Sequence, residues 1–175
     1  FDACEYSDVC QQKRVLYAEV MSAALDMSAG ETPDIQALVA RTARVAEELN
    51  ACQSVLESPL PAAQAESQYA RHGRAWAATY VAVLSQLSAY CTDMATQSRL
   101  GALEYHLVHI LFGEYLNQLA GGLPMSQSEF VRPADMGIDD PLPGFDSADI
   151  AYFRKQGNTA GRRAQAAQLL AQLVT

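Results

Sequence analysis

Two histidines three residues apart are the pair in this sequence best placed to share a ligand. His106 and His109 lie in EYHLVHILFGEY, and residues three apart occupy one face of a helix. Both could reach a single metal ion, with Glu66 or His72 of a neighbouring helix completing the shell. Bundle proteins with carboxylate-bridged metals place a Glu three residues before a His on two helices, whereas Glu104 precedes His106 by two. We therefore predict no metal site, and keep His106 and His109 as secondary candidates.

A second cluster, in ESQYARHGRAW, gathers three potential cations. Arg71, His72 and Arg74 could together hold a phosphate, a carboxylate or the acidic segment that follows later in the chain. The plainer interpretation is a solvated helix face paired with nearby acids such as Glu66, and the pattern favours it. The three residues stay candidates for an anion or partner contact.

Motifs of self-contained catalysis are missing from the sequence. It has no GxSxG, no HExxH, no glycine-rich phosphate loop after a strand and no CxxC, the patterns that carry nucleophiles, zinc, phosphates or redox thiols. Trp76 and the tyrosines at helical spacing are more typical of a core than of a platform that stacks on a ligand. We expect no complete catalytic site within these residues.

The chain that must position these side chains has 175 residues, half of them hydrophobic and 18% charged, with a net charge of −8. That length suits a single domain with a real core, and excludes disorder over most of the chain. The acidic balance argues against nucleic acid as a partner, because neutralising phosphates needs clustered Lys and Arg. The longest apolar stretch, Ala75 to Leu84, is too short to span a bilayer. We expect a soluble, acidic, helical domain.

Hydrophobic periodicity predicts four amphipathic helices and no strand of useful length. The first covers Asp8 to Ala29, and the second follows the start signal Thr32-Pro33-Asp34 and ends before Pro59. The third extends from near Ala62 to Thr96, and the fourth ends at the glycine pair 121–122. The second helix has the cleanest stripe: Ile35, Leu38, Thr42, Val45, Leu49, Cys52 and Leu56. The third aligns Tyr69, Trp76, Tyr80, Val83, Leu87, Tyr90 and Met94 on one face.

These helices predict an all-α fold, an up-and-down four-helix bundle over residues 1–122. Residues 123–146 hold four of the seven prolines and an excess of acids, which predicts an irregular Pro-rich acidic arm, ordered or mobile, with a helical turn or two at 126–131. A C-terminal helix over 147–175 then packs on the bundle. Residues 157–159 (Gly-Asn-Thr) are expected to kink that helix or split it.

The cysteines and the first residue leave the compartment open. Cys52 and Cys91 fall in apolar helical patterns and are expected to be buried free thiols, while Cys4 and Cys10 lie together near the N-terminus. Four cysteines in a chain of this length are not a disulfide-dense framework. We therefore favour a cytoplasmic protein, with a periplasmic or secreted one as the alternative. The chain starts at Phe1 and not at Met, so we expect that a leader, a tag or a larger part of the polypeptide precedes it.

One segment resembles a known family. FGEYLNQLAGGLPMSQSEFVRPADMG, residues 112–137, resembles the C-terminal helical region of acyl-CoA dehydrogenase-like flavoproteins, in which a helix ends in a glycine pair before a Pro-bearing polar arm. The resemblance implies a helical portion of an enzyme that oxidises an acyl-CoA thioester and passes electrons to FAD. In that family the C-terminal bundle helps to enclose the flavin and makes subunit contacts. The resemblance carries over no catalytic residue, and implies that Arg132 and the arm around it pack against a partner subunit or domain.

Three functional hypotheses follow. The first is a helical, mainly non-catalytic domain or fragment of an acyl-CoA dehydrogenase-like flavoenzyme that contributes to subunit or domain contacts, with FAD as the cofactor of the whole. The second is a free-standing α-helical binding or adaptor protein, either retained in the cell or exported. The third is a metal-binding bundle that uses His106 and His109. An apolar stripe on every helix exceeds what two packed helices need, so either the bundle closes on itself or another subunit covers one face. We expect another chain or domain as partner, or a homo-oligomer.

Overall fold

A computed structural model describes residues 33–138 and 142–174, and the structural statements below concern these residues. Five α-helices lie in these ranges: α1 Ile35–Glu57, α2 Gln68–Thr96, α3 Ala102–Gly121, α4 Ala148–Gln156 and α5 Ala160–Val174. Between α3 and α4 the chain forms a two-stranded hairpin, β1 Leu123–Ser126 and β2 Glu129–Val131, and a 3₁₀ helix, Pro133–Met136. The predicted all-α class is confirmed.

One predicted helix, Asp8 to Ala29, lies outside the described residues. The arrangement of four helices as one up-and-down bundle, and the division of the chain after residues 122 and 146, therefore stay predictions. Among the described helices, none combines the length and the apolar character needed to cross a membrane.

The helix boundaries follow from caps and prolines. The Asp34 side chain accepts a hydrogen bond from the Ala37 amide at 2.9 Å, which starts α1, and the chain turns to an extended conformation at Ser58, before Pro59. Helix α2 starts later than predicted from Ala62, because residues 62–66 form turns after Pro61 and the Ser67 hydroxyl then accepts from the Ala70 amide at 3.1 Å.

Helix α1 packs lengthwise against α2. Its buried residues are Leu38, Thr42, Val45, Leu49, Cys52 and Leu56, which confirms the predicted stripe of the second helix. From α2 the core receives Ala70, Gly73, Ala77, Val81, Leu84, Ser88 and Cys91. Most of these residues are small, so the two helix backbones can approach closely. Cys52 and Cys91 are free and buried, as predicted, and burial raises the pKa of each thiol to about 11.

The prediction that Trp76 belongs to the core is wrong. Its side chain is 43% exposed, and the neighbours one and two heptads along, Val83 and Tyr90, are 38% and 44% exposed. Helix α2 carries two rows of apolar residues at 3–4 spacing, one of small side chains and one of large ones. The large row is the more conspicuous in the sequence, but the fully buried row is the one made mostly of small residues, which permit a close approach of neighbouring elements.

The hairpin after α3 replaces the helical turns predicted at 126–131. Leu123 pairs with Val131 and Pro124 with Phe130, with an irregularity before Ser126. Leu123 and Val131 are buried, and Val131 lies directly over Gly73, where a Cβ atom would be only 2.4 Å from its Cγ1. Gly73 therefore marks the place where the hairpin docks on α2.

The C-terminal region splits into two helices at residues 157–159, one of the two outcomes expected there. Both α4 and α5 pack on α3, and the Phe153 ring contacts the Phe112 ring with centroids 4.8 Å apart. The backbones come closest at Gly113 and Gly157, where a Cβ on Gly157 would be 2.5 Å from the His109 carbonyl oxygen.

Candidate functional site

His109 is the most deeply buried of the candidate ligands, on the side of α3 that faces α4. Its Nδ1 is 2.8 Å from the Tyr105 carbonyl oxygen, and its Nε2 is 3.3 Å from the Tyr152 hydroxyl. A carbonyl oxygen can only accept, so Nδ1 carries the proton and Nε2 accepts from Tyr152. Both ring nitrogens of His109 are therefore engaged in hydrogen bonds.

The environment of His109 favours its neutral form. Burial, followed by the positive charge of Arg162, lowers the pKa of the imidazole from 6.5 to about 3. An imidazole that stays neutral at physiological pH fits the hydrogen bonds above, in which one nitrogen donates and the other accepts.

His106 has a different setting one turn earlier on α3. It is buried and lines a surface pocket of about 260 Å³ between α3 and α5, together with Pro33, Gln165, Gln168 and other residues. His109 instead contacts Tyr152 and Phe153 of α4. The two histidines share a helix, but their surroundings differ.

The carboxylates near this pair stabilise the helix and its neighbours. Glu104 accepts from the Gly101 amide at 3.1 Å and closes the start of α3. Glu114 accepts from Asn158 at 2.5 Å and from Gln118 at 2.6 Å, which ties α3 to the turn between α4 and α5. Within the ranges that the structure covers, no three His, Cys, Asp or Glu side chains gather so that they could hold a metal ion.

Arg74 is buried at the end of α1 and bonds to backbone carbonyls. Its Nε donates to the Met136 oxygen at 2.9 Å, and its Nη1 donates to the oxygens of Ser58 at 2.6 Å and Val55 at 3.3 Å. Burial lowers the pKa of the guanidinium. Arg74 thus links helix α2, to which it belongs, with the last turn of α1 and with the 3₁₀ helix.

The other predicted cations lie on the surface. Arg71 donates to the Ala65 oxygen and, with Arg74, lines a surface pocket of about 330 Å³. The exposed His72 accepts from the Trp76 indole at 3.0 Å. Arg132 is exposed after β2, where its backbone amide donates to the Asp135 carboxylate at 2.9 Å. The structure brings Arg71 and Arg74 to one pocket, and an anion or partner role for these residues stays a prediction.

A charged cluster that the sequence analysis missed joins α1 to α4. Arg41 and Arg44 both donate to the Asp149 carboxylate, Arg44 at 2.5 Å, and the Arg41 guanidinium lies 3.9 Å from the centre of the Tyr152 ring. The hydrogen bond from Arg44 is the main cause that lowers the pKa of Asp149. The three-residue spacing of the two arginines was a visible signal, but their acid lies more than 100 residues later in the chain.

The fold and these contacts define an all-α region in which the buried Arg74 and His109 are hydrogen-bonded to other groups of the same region. The chain is similar to (2S)-methylsuccinyl-CoA dehydrogenase of Cereibacter sphaeroides, with 35% identity over 151 residues. The alignment covers 83% of this chain and 26% of that protein. No family model matches the sequence.

The similarity confirms the resemblance to acyl-CoA dehydrogenase-like proteins that residues 112–137 predicted. It also extends that resemblance from one segment to most of the chain. Assignment to the C-terminal region of such proteins stays a prediction.

Proposed function

We propose that this chain is a helical, mainly non-catalytic portion of an acyl-CoA dehydrogenase-like flavoenzyme, and that it contributes to contacts between subunits or domains. The observation that carries the proposal is the 35% identity to a dehydrogenase over 83% of the chain, which corresponds to only 26% of that enzyme. By this proposal the whole enzyme oxidises an acyl-CoA thioester, as the name of the relative states for (2S)-methylsuccinyl-CoA, and works in the cytoplasm.

The polar contacts inside the domain support a structural role. The guanidinium of Arg74 donates to carbonyl oxygens of α1 and the 3₁₀ helix, and both nitrogens of His109 are used by Tyr105 and Tyr152. Side chains engaged in this way stabilise the fold and are not free to bind substrate.

FAD is the cofactor that the resemblance implies, and neither of the two pockets described above is large enough to hold it. The pockets beside Arg71 and His106 measure about 330 and 260 Å³, around the lower limit of ligand pockets, roughly 300 Å³. A dinucleotide needs a far larger cleft. We propose that the flavin and the thioester bind in the remainder of the enzyme.

The end of the hairpin is the contact surface that we propose for this portion. Phe130 is 51% exposed and stands beside the exposed Arg132, while the Tyr69 hydroxyl donates to the Phe130 carbonyl oxygen at 2.6 Å and anchors the strand. An exposed aromatic ring next to an arginine on an anchored strand is a typical centre of a protein interface.

The test uses the protein isolated through an affinity tag from its native host. We expect an isolate that contains flavin and whose mass, by light scattering, exceeds that of the 19.0 kDa chain. Deleting residues 123–146 would expose the core, because Leu123, Val131 and Met136 are buried. The double variant Phe130→Ser, Arg132→Ala is preferable, and should weaken the assembly at least about tenfold.

Leu170→Ser serves as the matched control, since it removes an apolar side chain of similar exposure, 45%, from α5. An assembly of unchanged mass and strength in the double variant would overturn the hairpin contact alone. A flavin-free isolate would overturn the proposed enzyme.

A further inference from the structure

Helix α5 is buried on two opposite sides. Ala164 and Ala166 are only 2% and 4% exposed, and residues two positions apart on a helix point in directions about 200° apart. Among the described elements, only α3 packs extensively on α5, and it covers the side that it contacts. The structure holds a single chain, so the cover of the second side belongs to the same chain.

The 32 residues before Pro33 are the part of the chain long enough to provide this cover. Outside the described ranges the chain has these residues, three more at 139–141 and one at 175. Three residues, or one, are too short to lie along the fifteen residues of α5.

The connection at Pro33 brings this segment close to α5. Pro33 lines the pocket of about 260 Å³ between α3 and α5, together with His106 and Leu169. The helix predicted from the sequence over residues 8–29 ends four residues before Pro33, and four residues span at most about 14 Å. The end of the predicted helix is therefore held within about 14 Å of the pocket.

The pocket and the predicted apolar stripe match in charge. No Asp, Glu, Lys or Arg lines the pocket, whose residues are Pro33, Ala102, His106, Gln165, Gln168, Leu169 and Gln172. The stripe is uncharged as well from Leu16 onward, through Val20, Ala23 and Met27, which are spaced by three and four residues. Such a stripe can pack over the pocket without burying an unpaired charge.

We propose that residues 8–29 pack as a helix against α5, with the stripe at Leu16, Val20, Ala23 and Met27 over the pocket beside His106. The chain itself then closes this pocket, which is a packing site and not a site for a metal ion or a small ligand. The proposal uses contacts within one chain and does not depend on the proposed enzyme.

Hydrogen exchange on the 175-residue chain tests this contact. Val20→Asp places a charge in the stripe, so the amides of α5 should exchange at least about tenfold faster, while those of α2 keep their rate. Ser22→Asp is the matched control, because it adds the same charge to the same segment on the side away from the stripe, and should leave α5 unchanged. Unchanged exchange of α5 in Val20→Asp, or equal acceleration in the control, would overturn the proposal.

Disulfide trapping tests the same contact without a destabilising charge. Cys4→Ser and Cys10→Ser remove the two cysteines near the N-terminus. Cys52 and Cys91 are buried, and burial raises the pKa of each thiol to about 11, so neither reacts readily. Two further cysteines introduced into this background are then the reactive pair.

Gln165→Cys supplies the thiol on α5, and Val20→Cys, Ala23→Cys or Met27→Cys supplies the one in the stripe. We expect at least one of the three pairs to form an intramolecular disulfide under mild oxidation, which requires Cα atoms within about 7 Å. Ser22→Cys with Gln165→Cys is the control and should stay reduced. No disulfide from the stripe, or one from Ser22→Cys, would overturn the proposal even if Val20→Asp unfolds the chain.

Discussion

Arg74 shows how residue type can mislead when the partner lies far away in sequence. In the sequence it stands with Arg71 and His72 as a potential cation for an anion. In the structure it is buried and donates to the carbonyl oxygens of Val55, Ser58 and Met136, which lie at the end of α1 and in the 3₁₀ helix. Nothing in the neighbouring sequence identifies these acceptors.

Replacing Arg74 should therefore cost stability. Arg74→Met keeps most of the buried volume but removes the donors, and hydrogen bonds from a charged group contribute about 1.5–3 kcal/mol. We expect the free energy of unfolding to fall by about 3 kcal/mol. Urea denaturation followed by circular dichroism measures it. Arg71→Met on the exposed side is the matched control and should change it by less than about 1 kcal/mol; equal effects would contradict the structural role of Arg74.

His109 couples folding to pH. Its pKa is about 3 in the folded chain, against 6.5 for an imidazole in water. The unfolded chain therefore binds a proton more readily than the folded one as the pH falls below about 6.5. The stability that neutral His109 provides is fully present above that pH and is lost progressively toward about pH 3.

A variant that cannot titrate isolates this contribution. His109→Gln retains a donor and an acceptor, so we expect a chain that still folds but is less stable at neutral pH, by about 1–2 kcal/mol. Its free energy of unfolding should fall less steeply than that of the wild type between about pH 6.5 and the acid limit of folding. Urea midpoints at a series of pH values measure the slopes, and parallel slopes would contradict the low pKa of His109.

At the scale of elements, the buried face of a helix could be predicted from the sequence when the helix carries a single apolar row. The stripe of α1 was predicted correctly because that helix has one apolar row. The inner face of α2 was predicted only in part, because two rows compete: Tyr80 and Leu87 pack against the core, whereas Trp76 is exposed. The hairpin was not predicted because its strands are only four and three residues long. Its docking site, Gly73, lies 58 residues before Val131, the residue that contacts it.

The junction of α3 with α4 and α5 depends on a glycine contact. A Cβ on Gly113 would be 2.5 Å from the Asn158 amide nitrogen and 2.8 Å from the Gly157 Cα. Backbone atoms cannot move aside as a flexible side chain does, so the substitution forces the helices apart.

Gly113→Ala should destabilise the chain by about 1–3 kcal/mol, although alanine is the better helix former. Gly121→Ala is the control in the same helix, because no atom lies within 4 Å of a Cβ at Gly121. We expect the control to be neutral or slightly stabilising. The melting temperatures of the two variants measure the difference. A Gly113→Ala chain as stable as the Gly121→Ala control would contradict the close packing of this junction.

At the scale of the whole molecule, the candidate site could be predicted only in part. The three-residue spacing identified His106 and His109 as a pair. The sequence did not distinguish a structural role for them from a ligand-binding one. Tyr152, the hydrogen-bond partner that occupies Nε2 of His109, lies 43 residues after it in the chain. Asp149, the acid that pairs with Arg41, lies 108 residues after that arginine. Such long-range partners depend on how the helices pack, which periodicity does not report. The family resemblance, in contrast, could be read from residues 112–137 directly.

The molecule as a whole presents an exposed surface at the hairpin end, at Phe130 and Arg132. By the proposal above, this end of the hairpin contacts the rest of a flavoenzyme. That role is structural, and it places the chemistry of the thioester outside the described residues.

The most direct test of this account is the visible spectrum of the protein isolated from its native host, recorded without oxygen before and after an acyl-CoA is added. The account predicts the absorption of an oxidised flavin that fades when (2S)-methylsuccinyl-CoA or a related thioester is supplied. A colourless preparation, or a flavin spectrum that no acyl-CoA changes, would contradict it.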